Sequence, residues 1–60
     1  ALRRARHVGL LRNALVAAGN AGDPALREPV ARYCDDPDPV LRAHARWALD
    51  QIEAAPRERA

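Results

Sequence analysis

Between Asp38-Pro39 and Pro56 the chain carries one amphipathic pattern bounded at both ends, and the rest has to pack around it. Asp38 suits an N-cap, and Pro39 suits the first helical position, where no backbone N–H is needed. Leu41, Ala45, Ala48, Leu49 and Ile52 repeat at the i, i+3/i+4, i+7 spacing of one buried stripe. Arg42, Arg46, Asp50 and Glu53 fall on the other side and are expected to face water. Pro56 stands where the helix can no longer continue. The pattern predicts a helix over residues 39–54.

The same stretch contains an echo. Arg46-Trp47-Ala48-Leu49 resembles Arg12-Asn13-Ala14-Leu15, an offset of 34 residues. Small and apolar residues surround both copies, and a further helical segment with two turns fits between them. A period of that size is what helical-hairpin repeats show.

Sixty residues make at most one domain, and ordering them costs about 1.5 kcal/mol per residue, which burial barely balances. With one Tyr, one Trp, no Phe and no Met, the core has to come from Ala, Leu and Val. That suits closely packed helices with open apolar faces, to be covered by another domain or by self-association. All ten basic residues are Arg, which the codon bias of a GC-rich genome explains most simply. The net charge of +2 is modest, but Arg3, Arg4, Arg6 and Arg12 all precede the first acid, Asp23. Such a local basic block is of the kind that meets phosphates; a merely solvated face is the competing reading.

Residues 1–7 are expected to form a basic arm or a short helix. Residues 8–54 form the helical segment, and residues 55–60 a frayed tail. Val8, Leu11, Ala14, Leu15 and Ala18 predict a helix over Val8–Ala18, with Leu10 and Ala17 widening its apolar face and Arg12, Asn13 and Val16 away from it. Gly19 is read as the left-handed residue that ends this helix, before a turn to Pro24. Asp23-Pro24 starts the next segment, which Pro29 interrupts. Either a turn at Pro24–Arg27 precedes a helix from Pro29 to about Cys34, or one kinked helix spans both. Leu26, Val30, Tyr33 and Cys34 supply its apolar side, and Glu28 with Arg32 makes an i, i+4 pair. Asp35-Asp36-Pro37-Asp38-Pro39 is a second turn.

No catalytic constellation can be assembled. His7 and His44 lack a partner ligand at i+4, and Asp35, Asp36 and Asp38 lack the glycine and distal glutamate of a calcium loop. Turn and cap roles account for all three. Cys34 is the single cysteine, which excludes an intrachain disulfide and a multi-cysteine cluster, and reads as a small, half-buried or buried apolar residue. No secretory or membrane-spanning stretch is present, so a cytoplasmic location is expected. The start at Ala without Met suggests a piece of a longer protein. His44 and Trp47 are candidate interface residues: Trp47 covers a neighbouring repeat or domain, or offers a stacking surface for a base.

Asp36-Pro37-Asp38-Pro39-Val40-Leu41-Arg42-Ala43-His44-Ala45-Arg46-Trp47-Ala48-Leu49 resembles the first helix of a HEAT repeat. Leu2-Arg3-Arg4-Ala5-Arg6, Gly9-Leu10-Leu11-Arg12-Asn13-Ala14-Leu15 and Ala18-Gly19-Asn20-Ala21-Gly22-Asp23 are similar to the C-terminal HEAT-like segment of bacterial epoxyqueuosine reductases. The resemblance spans Leu2 to Ile52. The chain departs from it at Pro29 and at Asp50, where glycine is common.

The offset of 34 with two proline-marked turns predicts an all-α, HEAT-like fold of about three main helices, roughly one and a half repeats stacked in an antiparallel right-handed array. The resemblance to epoxyqueuosine reductases implies a parent oxidoreductase that completes queuosine in tRNA with cobalamin and two 4Fe–4S clusters. This segment would be non-catalytic, follow the catalytic and ferredoxin-like domains, and help hold the tRNA. The expected tRNA contacts are Arg3, Arg4, Arg6, Arg12 and Asn13, with no metal site and no membrane partner. Asn13 has an inter-repeat hydrogen bond as its competing role. A HEAT-repeat scaffold for protein–protein contacts is the alternative. A DNA-repair or pigment-lyase segment fits Arg12-Asn13 and Gly19-Asn20 poorly.

Overall fold

The computed structural model describes residues 2–54, all helix and turn: α1 (Leu2–Ala21), a 3₁₀ turn (Pro24–Leu26), α2 (Arg27–Tyr33) and α3 (Pro39–Ala54). The expected tail after Pro56 lies outside the described residues.

α3 has the expected bounds, because every local signal agrees there. Asp38 Oδ1 accepts the Val40 N–H at 2.8 Å, and the Asp38 carbonyl accepts the Arg42 N–H at 3.0 Å. Leu41, Ala45, Ala48 and Ile52 are buried, while Leu49 is only half-buried. Arg42 is half-buried where a fully water-facing side chain is expected. Its Nη1 reaches back over the turn and donates to the carbonyls of Asp36 at 3.0 Å and Pro37 at 3.4 Å. Asp36 Oδ1 in turn accepts the Asp38 N–H at 2.8 Å. The acidic turn is thus held by its own carboxylates and one guanidinium.

α1 runs unbroken from Leu2, so the segment read as an arm or short helix forms its first turns. Its end corrects the reading of Gly19, which is buried within the helix. The left-handed residue is Gly22 at φ 62°, whose N–H bonds the Ala18 carbonyl at 3.1 Å. Gly19 serves a close approach. A Cβ there would meet Cζ3 and Cη2 of Trp47 and lie 3.0 Å from Ala48 Cα. Gly9 has no such role, since a Cβ there would meet nothing within 4 Å. Gly9→Ala is therefore expected to raise stability by up to about 1 kcal/mol, read as a higher urea midpoint with unchanged slope.

A turn followed by a separate helix is the first of the two expected arrangements, but the helix starts before Pro29, which does not interrupt it. Pro29 is the third residue of a helix that begins at Arg27, where the backbone N–H has no intrahelical acceptor. Asp23 Oδ1 accepts the Ala25 N–H at 3.0 Å, so the cap-plus-proline start holds for the 3₁₀ turn. Glu28 and Arg32 form no ion pair; the pairs among the described residues are Arg27–Glu53 at 3.3 Å and Arg4–Asp38 at 3.8 Å.

These two pairs also give the helix directions. The start of α1 meets the start of α3, and Gly19 meets Trp47 and Ala48, so α1 and α3 run parallel. The start of α2 meets the end of α3, so these two are antiparallel. α1 and α2 lean on α3 and hardly touch each other. Ala45 and Ala48, both fully buried, let the two neighbours come close to α3, and Leu15, Val30, Leu41 and Ile52 complete the core. Cys34 and Tyr33 pack half-buried at its edge. The outcome is an elongated Cα trace of 45 × 17 × 14 Å.

Candidate nucleic-acid interface

α1 carries Arg3, Arg4, Arg6, His7 and Arg12 and no acid over 20 residues. All five side chains are exposed. They do not form one face. At about 100° per residue, Arg4 and Arg12 lie on the side of α1 turned toward the start of α3, whereas Arg3, Arg6 and Asn13 lie on its outer side. Leu10, 63% exposed, stands among the outer group.

Arg4 and Arg12 flank an open cleft of about 550 Å³ that Ala5, Val8 and Gly9 line from α1, with Asp38 and Val40 from the start of α3. Arg4 reaches Asp38 there with a side chain 69% exposed, a pair that solvent largely screens. Arg12 has no ion-pair partner among the described residues. Asn13 is exposed and makes no side-chain hydrogen bond among them, so the inter-repeat bond considered for it is not formed.

On α3, Val40, His44 and Trp47 follow one another at helical spacing on the face beside this cleft. Val40 is 42% and Trp47 39% exposed, although both are large and apolar. His44 is half-buried, and its Nδ1–H donates to the Val40 carbonyl at 2.8 Å. Gly19 fixes where the Trp47 ring lies, against the backbone of α1. His44 and Trp47 are the expected interface residues; Val40, seven residues before Trp47, joins them on the same face, a spacing already visible in the sequence.

A second surface lies on the other side of α1. Leu11, Ala14, Leu15 and Ala18 face Leu26, Pro29, Val30 and Tyr33 across an apolar groove of about 250 Å³. No group of three or more metal-ligating side chains occurs among the described residues, and none of their helices is long and apolar enough to cross a membrane. No family model, curated protein or solved structure matches the chain.

Proposed function

We propose that this chain is a non-catalytic, RNA-contacting module of HEAT-like helices, the C-terminal part of an epoxyqueuosine reductase that modifies tRNA. The observation that carries the RNA contact is α1: four exposed arginines and no acid in 20 residues, on a chain whose eight acids all come later. RNA is held largely through backbone and shape, which a basic helical surface serves without a base-reading loop. The up-down-up order, with parallel α1 and α3 carrying the two copies of the 34-residue echo, supports the repeat reading. The similarity of Arg12-Asn13 and Gly19-Asn20 to that family supports the assignment to tRNA. With Cys34 its single cysteine, the chain does not fit the ligation of a 4Fe–4S cluster. In this reading the clusters and cobalamin belong to the upstream domains, in the cytoplasm.

Binding of tRNA is expected to weaken steeply with salt. Two arginines on one side of α1 give a log–log slope of about −1.5, and all four give about −3. Affinity that does not change between low and high salt would sink the proposal.

The open groove between α1 and α2 favours a second reading, a scaffold whose apolar faces take a partner protein, a neighbouring domain or another copy. Replacing Arg3, Arg4 and Arg6 together by Gln separates the two. Loss of tRNA with partner binding kept supports the first reading; tRNA and partner binding both kept supports the second.

A further inference from the structure

Resting on the RNA-contacting reading above, we infer that Trp47 is a stacking platform for an unpaired nucleobase, with Arg12 holding the phosphate of an adjoining nucleotide. Glycine within a helix costs about 1 kcal/mol against alanine, yet Gly19 sits buried inside α1. What it permits is the seat of the indole: Cζ3 and Cη2 lie where a Cβ would be, against the α1 backbone. The ring packs against that backbone while 39% of the residue stays open. An aromatic already packed on one side has less freedom to lose when a base lies on it.

Charge lies along the same ridge. Arg12 precedes Gly19 by two turns on the same side of α1, about 10 Å along the axis, and has no ion-pair partner among the described residues. Arg4 lies two turns further back, with Asp38 beside it at 3.8 Å. Arg4 thus has an acid within reach and Arg12 pairs with none among the described residues, so the phosphate contact is assigned to Arg12. The exposed large apolar residues on this face are Val40 and Trp47, bordered by His44. They match the area of a base better than the roughly 800 Å² a stable protein partner covers. In a paired A-form stem the base faces are already stacked, so the ligand class is a loop or a single-stranded segment.

Trp47 is the single tryptophan, so its emission reports this site alone. The full chain is titrated with an RNA hairpin bearing an unpaired loop, and with the same stem as a blunt duplex. Binding is followed in parallel by anisotropy of labelled RNA. The hairpin is expected to quench Trp47 in step with binding, and the duplex to bind more weakly without quenching. Trp47→Leu, with helicity retained, should weaken hairpin binding about tenfold and leave the duplex unchanged. Arg12→Gln should lower the salt slope by about one. Hairpin binding without quenching, and unchanged in Trp47→Leu, overturns the stacking site while the RNA reading stands. Absence of binding to either RNA overturns that reading and this inference with it.

Discussion

Leu15→Ala is expected to cost about 2–5 kcal/mol, as large as the whole stability of many domains this small, and so to leave the chain largely unfolded at room temperature. Leu15 is 4% exposed and is the large α1 side chain in a core that α3 otherwise dominates. Its removal leaves a void at the α1–α3 contact, and the flanking Val8, Leu11 and Ala18 are only partly buried and close it poorly. Urea unfolding followed by far-UV circular dichroism measures the loss. Leu49→Ala should cost clearly less, because Leu49 is half-buried beside the groove between α2 and α3. Equal losses at the two positions, or a loss below about 1 kcal/mol at Leu15, would contradict this core.

Gly19→Val should be the other severe change. The new methyls would enter space held by the Trp47 ring and the Ala48 backbone. The helix cannot gain from the substitution, because α1 would have to move away from α3. Overpacking of this kind costs about 1–3 kcal/mol. Combining it with Trp47→Leu should return part of the loss, since the indole is the nearest obstacle, but not all, since Ala48 Cα stays at 3.0 Å. A double-mutant cycle measures that coupling. Additive losses in the cycle would mean that residues 19 and 47 do not share the space. The opposite sign expected at Gly9 is the control.

These expectations mark where local pattern was enough and where it was not. α3 was legible from end to end because its cap, its proline and its stripe lie within the same twenty residues. The turn and helix of residues 24–33 follow from the prolines, but the helix starts two residues before Pro29, because proline is disruptive only after the first turn and the start at Arg27 has no side-chain cap to announce it. Gly19 and Gly22 stand three residues apart, and either can end a helix. What distinguishes them is that Trp47, distant in sequence, presses on Gly19, while Gly22 takes the positive φ. Arg42 was assigned to water because it lies off the stripe, whereas its long side chain reaches the carbonyls of a turn that folds beneath it. For the basic block, the needed signal was present. Arg3, Arg4, Arg6 and Arg12 are close in sequence, but the turn of the helix spreads them over two sides, and only Arg4 and Arg12 share the cleft with α3.

The turn between α2 and α3 has a mechanical consequence. Asp36 holds the Asp38 amide, Asp38 holds the Val40 amide, and Arg42 returns to the Asp36 carbonyl. These bonds close a loop that includes the first turn of α3, so neither can loosen without the other. Amide exchange at Asp38 and Val40 is therefore expected to follow the opening of the first turn of α3 and not that of a free connector. The Asp36 N–H also bonds the Tyr33 carbonyl at 3.1 Å, so the same chain of bonds reaches back to the last residue of α2 and braces the joint on both sides.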